Sequence, residues 1–102
     1  MQVELEPDSS MSDNVSLLDQ LIGREVVIDL VSQYVHLGKL VGWDHKYLVL
    51  EQADVHDLRD TSTTRELYVL ESRRFGIRSN RDVVFVKLTE VVSISALEDV
   101  LP

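Results

Sequence analysis

Cysteine is absent from the 102 residues, which excludes a disulfide framework and a thiolate metal site. No apolar run approaches the ~18 residues that a membrane-spanning helix needs, so we expect no membrane contact. The first residues also lack the basic start and apolar core of a secretory signal. These absences predict a cytoplasmic protein, and the length predicts a single domain with one modest core.

Basic residues are scarce, with 10 Lys and Arg against 18 Asp and Glu, and the net charge is -8. This balance argues against a nucleic-acid binder, which usually shows a basic footprint. The charge is unevenly placed, however. Residues 61–87 hold six basic and three acidic side chains, and their net charge of +3 leaves -11 for the remainder. Such asymmetry says more about partners than the total does.

Signals of catalysis or metal binding are missing as well. The three histidines, His36, His45 and His56, do not have the spacing of metal ligands. Asp54 and His56 share one face of a predicted strand, but two residues make a weak metal signal. There is no Gly-rich phosphate loop, nucleophile elbow or paired-carboxylate arrangement. We therefore expect no enzyme activity, no cofactor and no metal.

The chain begins with an acidic, polar stretch, residues 1–12, which we expect to be a disordered tail. Residues 13–22 predict a short helix, capped by Asp13 or Ser16 and ended by Gly23. Residues 13–102 as a whole are predicted to form one domain, with an insertion at about residues 57–82.

Two predicted strands follow the helix, over residues 25–30 and 34–43. Gly38 and Gly42 lie inside the second strand, where glycine is unfavourable unless the strand bends sharply or another backbone approaches closely. A strand bent at glycines allows a small sheet to curl into a barrel. Further strands are predicted at residues 47–55, 66–71, 83–87 and 91–95, with a polar loop at 57–64 and a basic connector at 72–82. The predicted fold is therefore mainly β: a short helix, then a strongly bent five-stranded antiparallel open barrel, with an extra strand or hairpin in the insertion.

The motif Gly38-Lys39-Leu40-Val41-Gly42-Trp43-Asp44, between the apolar strands on its two sides, resembles the Sm-like family of Sm, LSm and bacterial host-factor proteins. The resemblance covers about residues 16–95. In the family's second motif, Lys87 and Leu88 stand where Arg and Gly are usual. Tyr47 takes the place of the usual Asn after the aromatic-Asp pair. These departures fall at the family's uridine-binding pocket.

The resemblance implies two turns that face a central pore and contact RNA. It places Asp44, His45, Lys46 and Tyr47 in the first turn and Lys87 in the second. Tyr47 could stack on a base, and the lysines could donate to phosphates or base edges. The alternative is structural: Asp44 caps the turn, Lys46 faces solvent and Tyr47 begins a strand.

The basic run of residues 72–81 is a second candidate RNA site, through Arg73, Arg74, Arg78 and Arg81 with Phe75 between them. The same arginines could instead pair with acids, within the chain or across a subunit boundary.

The resemblance also implies a homo-oligomeric ring, which we expect to hold five to seven subunits, joined through the last two strands. Two functions remain open. One is a ring-forming module that binds single-stranded RNA or acts as an RNA chaperone. The other is an Sm-like or SH3-like scaffold that binds a protein partner, whose identity the sequence does not give, without nucleic acid.

Overall fold

The structure, a computed structural model, describes residues 16–60 and 62–102. The predicted tail and the predicted Asp13 cap lie outside these residues. The elements of the described chain are β1 (Glu25–Leu30), β2 (Tyr34–Trp43), β3 (Tyr47–Asp57), α1 (Arg65–Phe75), β4 (Arg81–Lys87) and β5 (Val91–Ala96). Short 3-10 helices occupy Leu17–Leu21, Leu58–Asp60, Leu88–Glu90 and Leu97–Asp99.

The strands form one antiparallel sheet in the order β4-β3-β2-β1-β5. The sheet does not close, because β4 and β5 lie at opposite edges and do not pair with each other. The predicted open, mainly β architecture is confirmed. The predicted bounds of β1 and β2 are also confirmed, whereas β3, β4 and β5 are each one or two residues longer than expected.

The sheet changes register where β2 passes Gly38. The pairing with β3 shifts between Leu37 and Lys39, and Gln52 on the opposite strand has a positive φ of 49°. A side chain on Gly38 would start 3.0 Å from the Cβ of Ala53 and 3.2 Å from the carbonyl oxygen of Glu51. Gly38 therefore allows two backbones to approach closely at an irregularity in the pairing, and such irregularities bend strands.

Two apolar clusters pack on this curved sheet. The first joins β1, β2, β3 and β4 and is covered in part by the first 3-10 helix; its buried members are Val26, Ile28, Leu40, Leu48, Leu50, Ala53 and Val86. The second lies where α1 and the C-terminal 3-10 helix meet β1 and β2; its buried members are Val27, Val35, Leu37, Val69 and Leu97. Because alternate residues of a strand point to opposite faces, β1 contributes to both clusters.

The strand or hairpin predicted in the insertion is wrong, because residues 66–71 lie in a helix. Thr64 caps α1, and its side-chain oxygen accepts from the backbone N–H of Leu67 at 3.2 Å. Gly76, with a φ of 97°, ends the helix. The basic connector predicted at residues 72–82 is also wrong in extent, since its start belongs to α1 and its end to β4. The apolar alternation suggested a strand, but the cap and the stop favour a helix.

The N-terminal helix is a 3-10 helix, and Ser16 caps it as predicted: its hydroxyl accepts from the backbone N–H of Leu18 at 3.1 Å. The indole Nε1 of Trp43 donates to Asp19 Oδ1 at 2.8 Å and ties this helix to the end of β2. Among the described residues, no helix has the length and apolar character needed to cross a membrane.

Candidate functional site

Two turns meet at one end of the sheet. The first joins β2 to β3 through residues 44–46, and the second is the 3-10 turn Leu88–Glu90 between β4 and β5. The backbone N–H of Leu88 donates to the carbonyl of Lys46 at 2.8 Å, which joins the turns directly. Beside this bond, Tyr47 and Lys87 lie opposite each other on β3 and β4. Antiparallel pairing therefore brings together residues that are 40 positions apart.

A cavity of about 270 Å³ opens between these turns, and we call it the turn cleft. Its walls are His45, Lys46, Tyr47, Lys87, Leu88 and Thr89. Four of the five residues that the resemblance assigned to RNA contact thus lie together. Thr89 was missed, because a residue in a three-residue turn between two strands carries no signal of its own.

Asp44 does not line the turn cleft but shapes it. Its Oδ1 accepts from the backbone N–H groups of Lys46 and Tyr47, both at 2.8 Å. These two donors stabilise the carboxylate and hold the pKa of Asp44 below its usual value. Its backbone N–H also donates to the carbonyl of Tyr47 at 2.9 Å. Asp44 therefore fixes the loop that presents the next three side chains.

The ring of Tyr47 is the aromatic surface of the turn cleft. Tyr47 is 37% exposed, and its ring centre lies 6.2 Å from that of Phe85 with the planes tilted by 49°. Phe85 is itself 64% exposed on β4. Phe85 borders Tyr47 on one side and so limits the directions in which that ring can turn.

Leu88, which stands where the family has glycine, serves two roles. Its half-buried side chain packs against the first apolar cluster, and it also forms part of the cleft wall. Because the side chain is partly directed into the core, a cavity remains beside it. The wall at this point is apolar.

The four arginines of the basic run do not form one site. Arg73 and Arg74 lie in the last turn of α1, Arg78 follows the helix, and Arg81 begins β4. Arg73 lines a cavity of about 420 Å³ with Arg24 and Glu98, whereas Arg78 lines a different cavity.

The charge partners of the arginines divide them into two groups. Arg24, Arg59 and Arg65 form ion pairs with carboxylates. Among residues 16–60 and 62–102, no carboxylate pairs with Arg73, Arg74, Arg78 or Arg81. The sequence-based idea that these four neutralise acids of their own chain thus finds no support in the described residues.

Asp54 and His56, the weak metal pair of the sequence, hold the insertion on the sheet. The hydroxyl of Tyr68 donates to Asp54 Oδ2, and the Tyr68 ring stacks on His56 with 3.9 Å between ring centres. Asn80 Nδ2 donates to Asp54 Oδ1 at 3.2 Å. Burial, followed by the bond to Asp54, raises the pKa of Tyr68, so the phenol stays protonated as the donor. In the described part of the chain, no group of three or more His, Asp or Glu side chains is placed to hold a metal.

Comparison with known proteins identifies the fold. No family model matches the sequence, and no curated protein sequence matches it either. An Sm protein of Pyrococcus abyssii, solved in complex with a uridine heptamer, is similar over 80% of this chain and 99% of that chain, with a TM-score of 0.54 and 17% identity. A chain of the NatC complex, crystallised with CoA bound, is similar over 81% of this chain and 87% of that chain, with a TM-score of 0.51 and 19% identity.

These likenesses, together with the five-stranded open sheet, show that the chain has an Sm-like fold. The family resemblance read from the glycine motif is confirmed at the level of the fold. At such low identities the likeness concerns the fold alone, and function depends on the residues of the site.

Proposed function

We propose that this protein is a non-enzymatic module that binds single-stranded RNA in the turn cleft and assembles into a homo-oligomeric ring. The observation that carries the proposal is the convergence of Tyr47, Lys46 and Lys87 on one cavity. An exposed aromatic ring beside two ammonium groups suits a base that stacks and a backbone that is negatively charged. The Sm protein solved with a uridine heptamer, which shares this fold, supports the choice of ligand.

Four of the six residues that line the cleft have distinct roles in this proposal. The Tyr47 ring stacks on one base, and the ammonium groups of Lys46 and Lys87 donate to phosphate or to the base edge. The Leu88 side chain packs against the apolar face of the base. Asp44, which does not line the cleft, has a supporting role: one of its oxygens accepts from two backbone N–H groups and holds the loop in shape.

The two edges of the sheet support the proposed ring assembly. Within the described sheet, β4 pairs only with β3 and β5 only with β1, so each keeps an unpaired edge. Exposed apolar side chains lie on these edge strands: Val83 and Phe85 on β4 and Val92 on β5. Unpaired edges invite pairing with another chain, and repeated head-to-tail pairing that closes gives a ring. We propose five to seven subunits, and a monomer mass by light scattering at micromolar concentration would refute this.

The cleft is tested by fluorescence anisotropy with labelled uridine-rich and adenine-rich RNA. Tyr47→Ala is expected to weaken binding by ~1–3 kcal/mol through lost stacking, whereas Tyr47→Phe keeps the ring and the affinity. Lys87→Gln is expected to lower the salt dependence by about 0.7 for one lost phosphate contact. Lys39→Gln is the matched control, because Lys39 is also exposed but lies outside the cleft. Equal affinity of Tyr47→Ala and the wild type would exclude the cleft.

A second candidate function is a scaffold that binds a protein without nucleic acid. It is favoured by the net charge of -8 and by the likeness to a chain of the NatC complex. The same RNA titration separates the two functions. A scaffold would bind no RNA at any salt concentration, whereas the proposed RNA module binds with an affinity that falls as salt rises.

A further inference from the structure

A second cavity lies at the C-terminal end of α1, and we call it the helix-end groove. It measures about 300 Å³, the lower end of the range for small-ligand sites. Its walls are Tyr68, Glu71, Ser72, Phe75, Gly76 and Arg78. The helical members follow the i, i+3, i+4, i+7 spacing, so they form one stripe along α1, and Arg78 comes from the segment after the helix.

Phe75 in this groove has no part in the core. It is 78% exposed at the last position of α1. The helix end is completed without it: the N–H of Gly76 donates to the carbonyl of Ser72 at 2.9 Å, and Ile77 packs against the second apolar cluster. Stability of the helix therefore does not explain a phenylalanine at this position.

Unpaired positive charge surrounds this ring. The guanidinium carbon of Arg74 lies 5.4 Å from the ring centre, and Arg78 forms part of the groove wall. Neither is paired with a carboxylate among residues 16–60 and 62–102, although the chain has 18 acidic residues against 10 basic ones. Basic residues in the last turn of a helix interact favourably with the helix dipole, which accounts for Arg73 and Arg74. It does not account for Arg78, which follows the helix, or for the exposed ring.

We propose that the helix-end groove binds one nucleotide of single-stranded RNA, as a second site that rests on the proposed RNA-binding function and lies outside the turn cleft. The base stacks on Phe75, and the guanidinium groups of Arg78 and Arg74 hold the phosphate. Glu71, one turn before Phe75, accepts from an amino group of the base. The exposed Phe75 ring offers a base a stacking surface that an acidic side chain does not use, so the groove favours a nucleotide over an acidic peptide.

Aromatic and aliphatic replacements of Phe75 test the stacking. In the Tyr47→Ala background, which removes the stacking ring of the turn cleft, we compare Phe75→Tyr with Phe75→Leu by anisotropy with a labelled adenine-rich RNA hexamer. Phe75→Leu is expected to weaken binding by about 5- to 140-fold, the range for loss of one stacked base, and Phe75→Tyr to leave it unchanged. Equal affinity of the two variants would overturn the proposal, because an apolar contact alone would then be sufficient.

Arginine replacements test the phosphate contact independently. Arg78→Gln is expected to lower the slope of log affinity against log salt by about 0.7. Arg73→Gln is the matched control, since Arg73 lies in the same region but lines another cavity, and its slope should equal that of the wild type. If Arg78→Gln left the slope unchanged and reduced the oligomer mass, the arginine would serve subunit pairing and the groove would not bind RNA.

The two RNA sites fail separately. If Phe75→Leu had no effect while Tyr47→Ala weakened binding, the groove would be refuted and the turn cleft supported. If Tyr47→Ala had no effect while Phe75→Leu weakened binding, the groove would be supported and the cleft refuted. If neither Tyr47→Ala nor Phe75→Leu weakened binding, both the turn cleft and the helix-end groove would be refuted.

Discussion

Replacement of Gly38 by valine tests whether the bend of the sheet depends on this glycine. Gly38 is buried, and a Cβ placed on it would lie 3.0 Å from Ala53 Cβ, 3.1 Å from Ala53 Cα and 3.2 Å from the Glu51 carbonyl. Two of these three atoms are backbone and cannot rotate away. Overpacking of this kind costs ~1–3 kcal/mol, and valine adds two further methyl groups. We therefore expect the free energy of unfolding to fall by about 2–3 kcal/mol, which exceeds the ~1 kcal/mol span of strand propensity.

Urea unfolding followed by the fluorescence of Trp43 measures this loss. Gly42→Val is the matched control on the same strand, since nothing lies within 4 Å of its added Cβ, and its midpoint should stay near that of the wild type. A second control combines Gly38→Ala with Ala53→Gly. This exchange moves the methyl group across the contact and should recover part of the stability that Gly38→Ala loses. Equal midpoints for Gly38→Val and the wild type would show that the strand does not need a glycine here.

Further predictions concern single hydrogen bonds and charges. The side-chain bond from Arg59, followed by the backbone N–H of the same residue, lowers the pKa of Asp57 to about 2, so this pair contributes stability above pH ~4 that is lost as the pH falls towards 2. Arg59→Gln keeps the backbone donor, so it should raise the pKa part of the way towards 3.8 by NMR titration and weaken that pH dependence. Thr64→Ala, which removes the cap of α1, should cost ~1 kcal/mol in urea unfolding, and Thr64→Ser should cost less. Asp44→Ala should loosen the turn cleft and weaken RNA binding, whereas Asp44→Asn, which keeps an acceptor oxygen, should retain most of it. Tyr68→Phe, which removes the hydroxyl that donates to Asp54, should lower the urea midpoint of unfolding. An unchanged midpoint would show that this bond does not hold the insertion.

The meander of strands was predictable because its signals are local and agree with one another. β1 is rich in β-branched residues, the turn after it contains Ser32 and Gln33, and the glycines of β2 fall where the sheet is irregular. Alternation along β1 did not show that both of its faces are buried, because the second face is covered by α1, which comes later in the chain.

The insertion was mispredicted because two local signals competed. Its centre, Leu67 to Leu70, is apolar and rich in strand-forming residues, and a short run of this kind does not distinguish a strand from a helix. The flanking signals were the better guide: Thr64 caps the first turn and Gly76 ends the last. The stacking of Tyr68 on His56 joins residues of different elements, and no local pattern reveals such a contact.

The candidate sites were predictable to different degrees, because contacts between different elements leave no local pattern in the sequence. The turn cleft followed from the family resemblance, since both of its turns keep their positions between the strands that pair them. The arginine run appeared as one site in the sequence because its members are close along the chain. A helix, a connection and a strand direct them to different places: Arg78 shares a cavity with Phe75, whereas Arg73 lines another.

Along the chain, the strand β4 lies between the residues of the two proposed RNA surfaces. It begins at Arg81, beside Ala53 and just after the helix-end groove, and ends at Lys87, in the wall of the turn cleft. Seven residues of strand span about 20 Å, at roughly 3.3 Å each. β4 is paired with β3 along this length, and Tyr68 of α1 donates to Asp54 of β3, so both surfaces are attached to the same part of the sheet. An RNA long enough to reach both proposed sites should bind with an affinity above that of either site alone, whereas a shorter RNA gains nothing from the second site. Any such gain would depend on the insertion, since the helix-end groove is built from α1 and the residues that follow it.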